Sequence, residues 1–123
     1  MRVLLSIKPE FAERIFTGEK RFEYRKATFK KAVSTVVVYA TQPVGMIIGE
    51  FEVGRVLQGA PAEIWEATKS QAGISKDLFL RYFSGRTKGY AIEVREPRKY
   101  HDAIDPNTVG SFIAPQSFRY ICE

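Results

Sequence analysis

Lys20, Glu23 and Arg25 follow Gly18 in the stretch Gly-Glu-Lys-Arg-Phe-Glu-Tyr-Arg, residues 18–25. A carboxylate set between two cations suits three tasks: holding a polar ligand, moving a proton, or bridging charges on a surface. Arginine offers a planar fork of donors and lysine a compact point charge, so the two could hold a phosphate or a base carbonyl. Glu23 could accept from an exocyclic amine or ring nitrogen of a base, or act as a general base. The competing reading is an ordinary same-face ladder of Arg21, Glu23 and Arg25, worth under ~1 kcal/mol.

Other residues are candidates by position. Ser6 and Lys8 precede the first helix, whose far end leads to Lys20, so they could line the same cleft. The plain reading of Ser6 is a turn or cap hydrogen bond. Tyr39, Thr41 and Gln42 follow an apolar strand, and loops after central strands often line sites. Tyr39 could stack on a base or simply close the rim of the core. Arg119, beside Ser117, is a further phosphate candidate. His101 could exchange protons near neutral pH, although a lone histidine also reads as a surface or turn residue.

Short elements must position these groups. Val3 to Ile7 reads as a strand. Pro9 suits the first turn of a helix, and Phe11, Ala12, Ile15 and Phe16 make one apolar stripe over residues 9–17. Gly18 sits where a helix-ending glycine belongs. Residues 20–26 alternate: Phe22 and Tyr24 point one way, while Arg21, Glu23 and Arg25 point outward or into a cleft. Val36 to Tyr39 is an unbroken apolar run, suited to a strand covered on both faces. Met46 to Leu57 is a long strand pattern in which Gly49 and Gly54 suggest bends or bulges.

Pro61 opens a second helix carrying Ile64 and Trp65. Ser75 caps a third, with Leu78, Phe79, Tyr82 and Phe83 expected on its core face and Gly85 closing it. Tyr90, Ile92 and Val94 alternate as another strand, Tyr100 to Ile104 reads as one more, and Phe118 to Ile121 closes the sheet. Helices inserted among strands, rather than alternating with them, predict an α+β fold on a mixed, strongly curved sheet.

The length, 123 residues, fits one domain over residues 1–123 with a core that needs no staples. Cys122 is the one cysteine and His101 the one histidine, which leaves no intramolecular disulfide and makes a zinc site unexpected. Cys122 reads as a bystander thiol. No metal or cofactor is expected. No apolar run reaches the length of a membrane span, and the N-terminal apolar stretch is too short for a secretory signal; a cytoplasmic protein is the expectation. Net charge is +5. Residues 1–31 carry nine basic and four acidic side chains, so nine minus four gives this segment the whole surplus. Such a concentration favours a polyanionic partner, while a plain lysine-rich surface is the alternative.

The run Leu5-Ser6-Ile7-Lys8-Pro9, then Ala12, Ile15 and Gly18-x-Lys20-x-x-Glu23-x-Arg25, resembles the N-terminal signature of the ASCH family (activating signal cointegrator homology domains), within the PUA-like superfamily. All four positions of the G-x-K-x-x-E-x-R hallmark are present. The strand ending in Tyr39, the loop around Pro43 and the return at Ile47-Ile48-Gly49 also look like the family's next strands. The resemblance implies a PUA-like mixed β-barrel of five to six strands with about three short helices and a cleft beside the hallmark strand. It implies a partner that is single-stranded RNA or a nucleotide, in RNA-linked regulation or nucleotide metabolism. One branch of the family hydrolyses an acylated cytidine with the hallmark lysine, a threonine where this chain has Glu23, and a glutamate on a later strand. Lys20 fits that pattern and Glu23 departs from it. Other members are ribonucleases. Three readings therefore stand: an RNA- or nucleotide-binding domain, a hydrolase in which Lys20 and Glu23 are catalytic, and an adaptor for a protein or small ligand.

Overall fold

A computed structural model of the chain describes residues 1–109 and 112–121; Cys122 lies outside them. The elements run β1 (Arg2–Ile7), α1 (Pro9–Thr17), β2 (Phe22–Arg25), β3 (Thr35–Ala40), β4 (Met46–Gly59), α2 (Pro61–Thr68), α3 (Lys76–Tyr82), β5 (Gly89–Ile104) and β6 (Phe118–Ile121), with short 3₁₀ turns at Lys69–Gln71 and Pro106–Val109. The strands form one mixed sheet in the order β2-β5-β4-β3-β1-β6. Only β1 and β3 pair in parallel, Arg2 opposite Thr35 through Ile7 opposite Ala40. The sheet curls into a half-barrel with three helices, an α+β architecture.

The periodicities explain most of these elements. Ala12 and Ile15 of α1 bury on Val3, Leu5, Ile7, Val36, Val38, Phe51 and Ile92, the main core. Gly18 ends α1 with φ 86°, a left-handed conformation that glycine adopts without steric cost. All six residues of β3 are buried, as an unbroken apolar run demands. A second cluster sets Phe22 and Tyr24 of β2 against Ile64, Phe79 and Phe83 of α2 and α3. A third, on the other face of the sheet, holds Leu4, Val37 and Tyr39.

Two expectations need correction. Tyr100–Ile104 is not a separate strand. It continues β5, which pairs with β4 from Gly59 opposite Gly89 to Ile47 opposite Ile104, through register shifts that include the expected bulges near Gly49 and Gly54. Glu96 takes φ 46° within that strand, so a kink that reads as a break in sequence is absorbed as a bend. Leu78 and Tyr82 are not core residues: they stay 40% and 37% exposed, while Phe79 and Phe83 are buried. Phe79 and the capping Phe83 take the side that meets the sheet, and Leu78 and Tyr82 turn to the cleft beside it.

The sheet's edges, β2 and β6, are not joined by a strand ladder among the described residues. Side chains bridge that seam instead, and the hallmark residues lie in it. No helix among the described residues is long and apolar enough to cross a membrane.

Candidate functional site

Lys20 is 2% exposed, an unusual position for an ammonium group. The turn after α1 aims it inward, and the loop following α2 receives it: Nζ donates to the Ala72 carbonyl at 3.1 Å. Nζ also lies 3.7 Å from Glu23 Oε1 and 4.6 Å from the centre of the Tyr24 ring. Gly73 makes this approach possible. Its φ is +66°, and a Cβ there would sit 2.3 Å from Lys20 Cβ. Arg14 pins the same loop through the Gly73 carbonyl at 2.9 Å. The Lys20 pKa is lowered from 10.5, chiefly because burial strips water from the ammonium. Glu23 opposes the shift, and Arg25 and Arg14 add to it.

Glu23 and Arg25 are also buried. Arg25 Nη2 donates to Glu23 Oε2 at 2.8 Å and to the Ser6 carbonyl at 2.7 Å. Nη1 reaches Ser117 Oγ at 3.4 Å. One guanidinium thus spans from β2 to β1 and to the segment leading into β6. Ser6 holds that segment from the other side, its hydroxyl donating to the Pro115 carbonyl at 2.7 Å and its backbone N–H to the Ser117 carbonyl at 3.0 Å. Arg25 Nε is buried and has no hydrogen-bond partner. Native interiors rarely leave a donor in that state.

These groups line a cavity of about 940 Å³. Its lining carries six cations, Lys8, Lys20, Arg25, Lys26, Arg81 and Arg86, and one carboxylate, Glu23. Ser6, Thr41, Ser117 and Gln116 add polar groups; Ile7, Phe11, Tyr24, Ile74, Leu78 and Tyr82 add apolar surface. Of the residues picked out by sequence, Ser6, Lys8, Lys20, Glu23, Arg25 and Thr41 therefore meet in one place.

Tyr39, Gln42 and Arg119 do not. Tyr39 is 4% exposed on the other face of the sheet, against Phe112 at 5.1 Å, because strand parity puts it with Leu4 and Val37 rather than with Val38. Gln42 is exposed and absent from the cleft lining. Arg119 pairs across from Leu4 and borders a smaller hollow of about 400 Å³ on that far face. His101 is almost fully exposed, 3.3 Å from the Asp102 carboxylate. Arg21 is exposed just before β2, and the third member of the charged cluster is Lys20, from the preceding turn, where strand parity gives no direction. Among the described residues no group of histidine, cysteine, aspartate and glutamate is arranged to hold a metal ion. Sequence reasoning missed Lys26, Arg81, Tyr82 and Arg86. The available signal was Arg81 and Arg86 on either side of the aromatic pair Tyr82 and Phe83.

Comparison with known proteins shows the family. The ASCH domain family profile matches residues 5–104, and the chain belongs to that family. A ribonuclease with an ASCH domain from Zymomonas mobilis is 29% identical over 126 residues, covering 96% of this chain and 82% of that protein. The crystal structure of the Zymomonas mobilis ASCH protein superposes with a TM-score of 0.92 at 28% identity, over 99% of this chain and 88% of that one. The large ribosomal subunit protein uL22 of Ureaplasma parvum is 30% identical over 120 residues, 97% of this chain; the chain spans 39% of that relative's length. The N-terminal domain of Staphylothermus marinus McrB, TM-score 0.54 at 14% identity, shares the fold alone.

Proposed function

We propose that the seam cleft is a receptor for single-stranded RNA or an extruded nucleotide. The observation that carries this is the Arg25 Nε–H: buried, unpartnered and set in a lining of six cations against one carboxylate. Phosphate or a base carbonyl supplies acceptor oxygens to such a lining, and a shift of the Arg25 side chain would bring its spare donor to one. Lys8, Lys26, Arg81 and Arg86 draw a polyanion toward it. The ribonuclease activity named for the Zymomonas relative supports an RNA ligand.

The test is binding of a short single-stranded RNA by anisotropy at stepped salt. Affinity should fall steeply with salt as phosphate contacts release counterions. Arg25→Gln should weaken binding about tenfold or more, the scale of a lost charge-assisted hydrogen bond. Affinity that is flat in salt, or unchanged by Arg25→Gln, rejects the reading.

A second reading, RNA cleavage, is favoured by Lys20. Burial lowers its pKa, which eases loss of the ammonium proton. Such an amine could take the proton of a ribose 2′-hydroxyl as its oxygen attacks the adjacent phosphorus, forming a 2′,3′-cyclic phosphate while the 5′-oxygen departs as a hydroxyl with a proton from solvent. Glu23, 3.7 Å away, would steady the ammonium so formed. Turnover should vanish in Lys20→Met while binding persists in part. A wild-type chain that binds RNA without cutting it leaves the receptor reading standing and removes this one.

A further inference from the structure

Helix α3 turns two sides to two environments. Phe79 and Phe83 are buried against β2. Leu78 and Tyr82, one turn apart, line the cleft while remaining exposed. One exposed leucine needs no explanation. This pair, however, makes an apolar shelf in a cleft otherwise dominated by cations, whose lining also holds Ile74 and Phe11. Arg81 and Arg86 line the same cleft, and the Lys26 ammonium lies over the Tyr82 ring, 4.7 Å from its centre, a place that a stacking base takes over.

That division matches one ligand chemistry: a flat group with apolar faces, joined to anions. An inorganic polyphosphate would leave the shelf wet. An acidic peptide brings carboxylates without an obligatory ring. An unpaired nucleotide brings both, since every base has a π-face that stacks on aromatic side chains. A duplex keeps those faces inside its own stack, and extruding a base from it costs unstacking energy.

Building on the RNA-receptor reading above, we infer that Tyr82 and Leu78 form a platform on which one unpaired base of single-stranded RNA stacks, with Arg81 and Arg86 taking the neighbouring phosphates. The platform makes the site selective for single strands over duplexes, and it separates the roles of the two walls: the α3 wall reads the presence of a base and the β2 wall binds its polar edge or phosphate.

The experiment uses the full chain and three labelled probes of equal length: a single-stranded RNA, its perfect duplex, and an abasic strand with the same phosphates. Wild type should prefer the single strand to both others. Tyr82→Ala should weaken the single strand roughly 5- to 150-fold, the range of one lost base–aromatic stack, and leave the abasic strand unchanged. Tyr82→Leu should behave like the alanine variant and Tyr82→Trp like wild type, which separates the ring from mere bulk. Equal weakening of RNA and abasic strand in Tyr82→Ala overturns the platform. So does undiminished RNA binding by that variant, or a folded Tyr82→Trp that binds RNA poorly. Tighter binding of a polyglutamate peptide than of any RNA replaces the ligand class. If no probe binds in a salt-dependent way and Arg25→Gln changes nothing, the receptor reading itself falls, an outcome distinct from loss of the platform alone.

Discussion

Two carboxylates in this molecule share a local pattern and little else. Glu23 is followed two residues later by Arg25, and Glu93 by Arg95. They sit on neighbouring strands, with Phe22 opposite Glu93 in the β2–β5 ladder. Glu93 accepts from the Arg55 backbone N–H at 2.9 Å and pairs with Arg55 and Arg95 at 3.2 and 3.1 Å. Both arginines are more than half exposed. That cluster is complete and wet. Glu23 has partners 2% and 11% exposed, one of which keeps an unused donor. The difference teaches that the spacing Glu-x-Arg carries no function by itself. Burial is what sets the two apart: it makes the same ion pair costly to hold and leaves one donor unused.

Deleting each carboxylate should separate the two most strongly. Glu23→Ala strands two buried cations and should cost about 3–5 kcal/mol in urea unfolding. Glu93→Ala removes screened pairs and should cost about 1 kcal/mol. Losses of similar size would erase the contrast.

The Gly73 approach gives a sharper test, because it leaves every charge in place. Gly73→Ala meets Lys20 Cβ and also takes a backbone conformation that side chains disfavour. A destabilisation of about 1–3 kcal/mol is expected, together with weakened RNA binding. Normal affinity in this variant would show that the seating of Lys20 is unimportant to the site.

Acid and base titrations should then act on opposite ends of the pH scale. The Glu93 carboxyl is pulled down to about 2, first by the Arg55 backbone N–H and then by the Arg55 side chain. Its contribution is present above the ordinary 4.5 and is lost as pH falls from there toward 2, because the unfolded chain takes up the proton first. Glu93→Gln should flatten that acid limb. For Lys20 the slope has the same sign, at the basic end of the scale. Between its lowered pKa and 10.5 the unfolded chain holds a proton that the folded chain has released, so its term makes stability rise with pH. Lys20→Met should remove that rise and leave the acid limb intact. Chemical denaturation at stepped pH reads both. The smallest difference is in salt: raising ionic strength should weaken the exposed Glu93 cluster more than the buried Glu23 cluster.

Much of the fold was legible because alternation and helical spacing are local signals. The alternation of Phe22 to Arg25 placed β2, and Pro9 with Gly18 bracketed α1. The G-x-K-x-x-E-x-R spacing led to the cleft because Lys20, Glu23 and Arg25 lie on one continuous segment. What sequence could not give depends on distant parts of the chain. The burial of Lys20 is created by Ala72 and Gly73, some fifty residues on. Tyr39 lay in a run with no polar residue to set its phase, so its facing was unreadable until Leu4 and Val37 appeared beside it. Tyr82 looked like core because hydrophobicity alone does not say which of two neighbouring helix faces meets the sheet.

Backbone ladders hold this wall together strand by strand, except between β2 and β6. There the guanidinium of Arg25 acts as a hasp. An occupant that competes for the Ser6 and Ser117 contacts would unfasten the curl, whereas one that recruits the spare Nε–H would draw the two margins together. Under the proposed function, the spacing of β2 and β6 would therefore report which of these contacts an occupant makes.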